Sequence, residues 1–200
     1  MIDREQALRL LKKMVRESVA DQTEAILLTE DSSLTRFAGS AIHQHVAERN
    51  QTAILRVVLG KKIAVVTTNI FQPSSLRKLL RKAISLAKVQ QPNEDFVSLP
   101  GPKPVSEIET FSKNTSRLTP NQKVKMTKSL LRQAKEEGCR ASGAFSNGEV
   151  ELAVVNSTGV EVYQRFSDLF LHVIVENDKT SGYASFVARD PDQLDVDALV

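Results

Sequence analysis

The sequence predicts an α+β fold built from two similar repeats, each a helix followed by an antiparallel meander and a closing helix, with the helices packed on a mostly antiparallel sheet. Two observations support this prediction. Apolar residues recur at helical spacing in some segments and near period two in others. The same order of helix and strands also occurs twice along the 200 residues. The two meanders could share one sheet or form two layers, and the sequence favours neither.

The first repeat covers residues 1–90 and begins and ends with amphipathic helices. We expect the first helix over residues 3–19, because Asp3 can cap it and apolar residues then recur on one face. The second helix is expected over residues 73–89. It starts with Pro73, a residue type that suits the first turn of a helix.

Between these helices the apolar pattern changes to that of strands. A short strand is expected over residues 25–28, followed by a meander of three or four strands that includes Ile42, Ile54 and Val65. Polar residues interrupt the meander at positions 49–51 and again at Gly60-Lys61. We predict a turn at each of these two places.

A proline-rich segment, residues 91–118, is predicted to be an extended, exposed linker. The second repeat, residues 119–200, then opens with a strong helix start, because Thr119 can cap the helix and Pro120 suits its first position. Gly138 is expected to end this helix. Strands should follow at residues 141–145, 150–155, 160–175 and 183–188, with Asn147-Gly148 as a tight hairpin turn.

The last ten residues look like the beginning of a closing helix. Pro191 repeats the kind of helix start seen at Pro73, and the chain ends at Val200 after barely two turns. We therefore expect the second repeat to be truncated at the start of its closing helix.

Composition limits the classes of function. The single cysteine, Cys139, fits a reducing compartment, and neither a signal peptide nor a membrane-spanning run is evident, so a cytoplasmic location without membrane contact is expected. Basic residues concentrate in the helix over residues 73–89, where no acidic residue occurs. With no tryptophan and 5% aromatic residues, a stacking surface for single strands is not expected, and nucleic acid is a disfavoured partner.

One stretch of the first meander resembles a known family. The string Thr35-Arg36-Phe37-Ala38, followed by Ile42-His43-Gln44, then Arg56-Val57 and Gly60, is similar to the N-terminal region of the TldD/PmbA (TldE) family, also called modulators of DNA gyrase. Members of this family are zinc metallopeptidases or their metal-free partner subunits. This chain departs from the common pattern at residues 63–68, where a glycine-containing strand is expected. The sequence therefore does not decide between the TldD and the PmbA (TldE) branch of the family.

The resemblance implies that catalysis lies outside this chain. Family members are about twice as long, and the His-Glu-x-x-x-His motif of the TldD branch lies in their C-terminal half. No such motif occurs here, so we expect no catalytic or metal-binding residue in this chain and place any zinc in the missing C-terminal domain. The N-terminal half is expected to shape the path of a peptide or unfolded-protein substrate and to form a homo- or heterodimer with a second TldD/PmbA-type subunit.

Four residues of the family-like string are predicted to contact substrate or partner, namely Arg36, Phe37, His43 and Gln44. His43 and His45 lie two residues apart on an expected strand, so they should share a face and could supply two metal ligands. No third ligand is evident, and we prefer the interpretation that both lie on the polar face of the strand. Ser157 is interpreted as a turn residue, because no activating base lies near it in sequence.

Two alternatives to a peptidase half remain. In the first, the chain is a non-enzymatic interaction module whose basic helices dock gyrase-associated machinery, an acidic protein or nucleic acid. In the second, it is an unrelated ligand-binding α+β domain, which is disfavoured because no pocket-forming glycine motif or polar cluster stands out. Steep salt dependence of binding would distinguish a phosphate-binding module from a protein that binds peptides by strand addition.

Overall fold

The computed structural model describes residues 3–106, 108–195 and 197–199. Within these ranges the α-helices are α1 (Arg4–Arg16), α2 (Pro73–Val89), α3 (Lys113–Ser116) and α4 (Pro120–Glu136). The strands are β1 (Gln22–Ala38), β2 (Ala41–Leu59), β3 (Lys62–Thr68), β4 (Arg140–Asn156), β5 (Glu161–Glu176) and β6 (Ser181–Ala188). They form one antiparallel sheet in the order β3-β2-β1-β4-β5-β6. The predicted α+β fold is confirmed, and both meanders belong to one sheet.

The chain divides into two compact units, and several strands contribute to both. The first unit contains Met1–Thr29, Asn50–Ile108 and Glu151–Gln164, and the second contains Glu30–Arg49, Glu109–Val150 and Arg165–Val200. Each unit has its own cluster of buried apolar side chains.

In the first unit, the apolar faces of α1 and α2 pack against apolar side chains at alternate positions of the strands. Leu11 of α1 and Ala83 of α2 are fully buried in the same cluster as Leu55 and Val57 of β2. Asp3 caps α1 as predicted, since its carboxylate accepts a hydrogen bond from the Gln6 N–H at 2.8 Å. The helix ends at Arg16 instead of continuing to residue 19. Val19 is 82% exposed, so a further helical turn would bury little apolar surface.

In the second unit, α4 covers one face of the sheet. The predicted capping box is confirmed, because Thr119 and Gln122 exchange side-chain and backbone hydrogen bonds. Gly138, with a φ of 70°, follows the helix end as predicted. Leu130 of α4 is buried together with Phe37 of β1 and Phe145 of β4. The helix predicted at the chain end is observed only as 3-10 turns, Pro191–Gln193 and Asp197–Leu199.

The predicted turn at residues 49–51 is wrong, since β2 is continuous through them. Cross-strand bonds hold these polar residues in the strand. The Arg49 guanidinium donates to the Asp31 carboxylate, with 2.9 Å between Nε and Oδ2, and Gln51 donates to Thr29 at 3.5 Å. The reversal between β1 and β2 occurs instead at Gly39 and Ser40, both of positive φ. The turn predicted at Gly60-Lys61 is confirmed.

The predicted hairpin turn at Asn147-Gly148 is also wrong, because both residues lie inside β4. Asn147 is buried, and its side chain accepts a hydrogen bond from Ser33 at 2.9 Å while donating to the Thr115 carbonyl at 2.8 Å. These bonds satisfy the amide within an extended strand, so the local turn preference of the dipeptide does not decide the structure.

Residues between α2 and α3 contain no strand or longer helix among those described, and some are anchored. Leu99 is buried, and its N–H donates to the Gln22 side chain at 2.7 Å. Along the described parts of the chain, no helix is both long and apolar enough to cross a membrane.

Candidate functional site

In the second unit, β4 carries small side chains on the sheet face opposite α4. Ala141 and Phe145 point into the core with α4, and the alternate residues Ser142, Ala144 and Ser146 therefore lie on the other face. Bulkier side chains of the neighbouring strands stand on both sides of these small residues. The result is an open cavity of about 510 Å³, which we call the β4 trough. It is lined by Leu34, Arg36, His43, Ser142, Gly143, Ala144, Ser146, Phe170, His172 and Ile174.

The two walls of the β4 trough differ in chemistry. On the side of β1 and β2 are the exposed Arg36 guanidinium and His43 imidazole. On the side of β5 are Phe170, His172 and Ile174, at alternate positions of one strand face. The rings of Phe170 and His172 are tilted by 35° with centroids 5.3 Å apart. A cation therefore faces a largely apolar, aromatic wall.

His172 has an unsatisfied polar atom. Its Nδ1 is buried and has no hydrogen-bond partner among the described residues. Buried side-chain nitrogens are usually paired, and an unpaired one costs free energy comparable to a lost hydrogen bond. Sequence analysis did not select this histidine, because it belongs to no ligand motif. Its alternation with Phe170 and Ile174 on an exposed face is the signal that could have identified it.

The structure brings three of the four predicted contact residues together. Arg36 and His43 line the β4 trough, and the Arg36 guanidinium donates to the Gln44 side-chain oxygen at 3.4 Å. Gln44 and Arg36 also line an adjoining cavity of about 280 Å³. Phe37 lies on the opposite face, where it is 1% exposed and packs in the core under α4. Its alternation with Arg36 along β1 explains this placement.

Gly143 is required by the close approach of strands beside the trough. A Cβ at this position would lie 2.1 Å from the His172 carbonyl oxygen and 2.8 Å from Cζ of Phe37. Neither neighbour can move without disturbing the sheet or the core. Gly143 therefore permits the β4 backbone to pass between the strand that carries His172 and the ring of Phe37.

His43 and His45 lie in different surroundings, which does not favour a shared metal site. His43 lines the β4 trough, whereas Nδ1 of His45 lies 2.9 Å from Oγ1 of the buried Thr35. Burial and the charge of Lys123 both lower the pKa of His45. In the described ranges, no group of three His, Cys, Asp or Glu side chains could hold a metal ion.

A buried lysine lies beneath this part of the sheet. Lys123 of α4 is fully buried, and its Nζ donates to Oγ of Ser33 at 2.5 Å. Ser33 in turn donates to Asn147 at 2.9 Å. Burial lowers the pKa of Lys123 from 10.5 to about 8. The hydrophobic spacing of α4 did not identify this residue, because a lysine inside an amphipathic helix normally lies on its solvated face.

Strand β6 forms one end of the sheet. It pairs with β5 along one side, in a register that places Tyr183 opposite Ile174 and Val187 opposite Phe170. Tyr183 and Val187 are exposed, at 66% and 68%. They share the sheet face that carries the β5 wall of the trough. An exposed terminal strand with apolar side chains can accept a further strand.

In the first unit, a second cavity of about 610 Å³ lies beside α1. Its lining includes the helix cations Arg9, Lys12, Lys13 and Arg16 and residues of the turn between β4 and β5. Lys12 forms an ion pair with Glu161, the first residue of β5, at 2.6 Å. On α2, the basic side chains are exposed and form a solvated basic face, which contains Arg77, Lys78, Arg81 and Lys82.

Comparisons with known proteins agree with the geometry of the fold. Residues 113–200 match a family model described as the PmbA/TldA metallopeptidase central domain. This matched segment does not include residues 35–69, the stretch that carries the resemblance in the sequence. No curated protein sequence matches the chain.

Solved structures of three proteins are similar. TldE from Thermococcus kodakarensis is 20% identical with a TM-score of 0.81, and the match covers 98% of this chain and 45% of that one. A proposed modulator of a DNA gyrase from Thermotoga maritima is 19% identical with a TM-score of 0.79, covering 96% and 44%. A proposed modulator of DNA gyrase from Bacteroides thetaiotaomicron is 15% identical with a TM-score of 0.82, covering 100% and 48%.

At these identities the structural likeness establishes the fold. The chain spans less than half the length of each of these three solved proteins. The family model adds a sequence match over the second helix and strand set. Residues 113–200 are therefore similar to the central domain of the PmbA/TldA metallopeptidases, and the chain shares the fold of the three solved proteins.

Proposed function

We propose that this chain is the substrate-binding and dimerisation half of a TldD/PmbA-like metallopeptidase, or of its metal-free partner subunit, and that it does not hydrolyse peptides alone. The observation that supports this most directly is the combination of an open cavity and an exposed terminal strand on one face of the second unit. Both features suit an extended peptide. Neither supplies a nucleophile or a metal site.

Peptide capture by strand addition follows from the position of β6. The free edge of this strand presents backbone N–H and C=O groups, which can pair with any extended peptide whatever its sequence. Alternate side chains of that peptide would lie on the face of Tyr183 and Val187. This arrangement gives affinity through the main chain and modest selectivity through neighbouring side chains.

The described residues do not fit a zinc ion. They contain no group of three side chains with ligand chemistry, whereas a catalytic zinc site requires three protein ligands and an open position. In this proposal, zinc and the reacting water belong to another part of the complete protein. A His-Glu-x-x-x-His helix encoded after Val200 would identify the TldD branch, and a continuing frame without that motif would identify a metal-free partner.

Two proline substitutions test strand addition in the complete protein. Ser185→Pro and Phe186→Pro remove consecutive N–H groups of β6, one directed towards β5 and the other towards the free edge. The substitution that removes the N–H directed towards β5 should lower the midpoint of thermal unfolding, because it breaks a hydrogen bond of the sheet. The substitution that removes the N–H directed towards the free edge should preserve this midpoint and reduce peptide cleavage at least tenfold. Val105→Pro, in the exposed segment before α3, serves as the control. Unchanged cleavage by the variant of normal stability would refute strand addition on β6.

The exposed basic face of α2 supports one alternative, an interaction module for an acidic partner. Arg77, Lys78, Arg81 and Lys82 form no ion pair with a described acidic side chain. If this face binds polyanions, affinity for a DNA duplex should fall steeply between 50 and 200 mM salt. Peptide binding by strand addition should change little over the same range. Tight, salt-sensitive DNA binding without peptide binding would favour the alternative.

A further inference from the structure

We propose that the β4 trough binds the C-terminal residue of a peptide, with the α-carboxylate on Arg36 and the last side chain against the β5 wall. The inference rests on the proposed function, since it names the part of the peptide that this half recognises. It also goes beyond strand addition, because strand addition alone does not distinguish an end of a peptide from its middle.

The cationic wall explains why a carboxylate is the preferred group. The exposed Arg36 guanidinium donates a long hydrogen bond to neutral Gln44, at 3.4 Å, and forms no ion pair with a described acidic side chain. Among the described residues, no carboxylate lines the trough. A guanidinium without an acidic partner matches a carboxylate geometrically, because two parallel N–H groups can bind both oxygens. His43, on the same side, adds a second donor within the lining.

The apolar wall explains why a terminal residue fits better than an isolated anion. Phe170, His172 and Ile174 face Arg36 across a floor of Ser142, Ala144 and Ser146. A C-terminal residue carries its carboxylate and its side chain on one Cα, so the two can contact opposite walls. The volume of about 510 Å³ lies within the range typical of small-ligand pockets.

His172 supplies an adaptable group in this wall. Because its buried Nδ1 has no hydrogen-bond partner, no bond from that atom holds the ring in its present orientation. A half-turn about the Cβ–Cγ bond would exchange Nδ1 with a carbon, so the ring nitrogen can take a different position when a ligand binds. The main-chain N–H or carboxylate of a terminal residue would then provide the partner that this nitrogen lacks.

Fluorescence anisotropy with labelled hexapeptides tests the inference on this chain without any catalytic step. Three N-terminally fluorescein-labelled probes are compared: one ending in leucine with a free carboxylate, the same peptide as its amide, and an amidated peptide with an internal aspartate. We expect the free acid to bind about tenfold more tightly than either amide, the effect of one charge-assisted contact.

Variants assign the contact to the trough. Arg36→Gln should weaken binding of the free acid about tenfold and leave the amides unchanged. Arg132→Gln, at an exposed arginine of α4, is the matched control and should change neither. Ala144→Phe fills the floor of the trough and should abolish the preference for the free acid. Thermal unfolding of each variant shows whether it remains folded.

The outcomes separate this inference from the proposed function. Equal binding of acid and amide would overturn terminal recognition while leaving peptide capture in place. Equal binding of the internal aspartate peptide and the free acid would show that any carboxylate suffices, which also overturns it. If no peptide binds, both the inference and the peptide-binding role fail. A preference that survives Arg36→Gln would place the contact outside the trough.

Discussion

Replacing Lys123 by methionine should stabilise the protein at neutral pH and remove a pH dependence of its stability. Burial lowers the pKa of Lys123 from 10.5 to about 8 in the folded state. Between these values the unfolded state binds more protons than the folded state, so the free energy of unfolding rises with pH from about 8 to 10.5. Below pH 8 both states carry the charge, and the folded state bears the full cost of burying it.

The size of the effect follows from the difference in pKa. Each pKa unit corresponds to 1.36 kcal/mol, so a fall from 10.5 to about 8 corresponds to about 3 kcal/mol. Methionine also loses the hydrogen bond from Nζ to Ser33, which is worth about 1 kcal/mol. Ser33 keeps its bond to Asn147. The variant should therefore gain about 2 kcal/mol at pH 7 and lose about 1 kcal/mol above pH 10.5, where only the lost hydrogen bond remains.

Urea unfolding at pH 7, 8.5, 9.5 and 10.5 measures this difference between the natural protein and the variant. Lys125→Met is the control, because Lys125 is exposed on the same helix and its replacement should change stability by less than about 0.5 kcal/mol. The reasoning is refuted if Lys123→Met lowers stability at pH 7, or if its difference from the natural protein stays constant across these pH values.

Two further predictions concern residues near the trough. Gly143→Ala should lower the free energy of unfolding by about 3 kcal/mol or more, because its Cβ would lie 2.1 Å from the His172 carbonyl oxygen. Gly182→Ala, in open space on β6, is the control, and equal urea midpoints for the two variants would contradict this account. In Lys123→Met the pKa of His45 should rise towards its ordinary value, since the lysine charge contributes to its lowering. An unchanged His45 titration, followed by NMR, would exclude that coupling.

The helix signals in the sequence were reliable because they are local. Asp3 caps α1, Thr119 and Gln122 form the capping box of α4, and Gly60 reverses the chain as expected. In each case the residue that specifies the structure lies within a few positions of its partner. Such signals need no knowledge of the tertiary fold.

The wrong turns have the opposite cause. At Asn147, bonds to Ser33 and Thr115 come from residues distant in sequence. At Arg49, the deciding partner is Asp31 on the neighbouring strand. Local turn preference indicates a break at both places, but these tertiary bonds favour continuous strands.

The candidate site was accessible to sequence reasoning only in part. Resemblance selected Arg36, His43 and Gln44, which the structure places close together. The alternation of Ser142, Ala144 and Ser146 reads as an ordinary strand. These positions form a trough only because β1 and β5, which carry larger side chains, lie on either side of β4. Strand order across the sheet is the information that a single sequence lacks.

The order of strands also sets a length requirement for a peptide that uses both proposed contacts. Between the trough floor on β4 and a strand added to β6 lie three strand spacings, or about 14 Å. An extended peptide advances about 3.3 Å per residue, so about four or five residues are needed to cross.

Peptides of three residues with a free C-terminus should therefore bind through the trough alone. Affinity should rise once the peptide exceeds about eight residues, long enough to cross β5 and β6 and still pair with the free edge. The outward proline substitution in β6 should abolish that rise without affecting tripeptides. If affinity is the same for three and twelve residues, the trough and the edge do not act on one peptide.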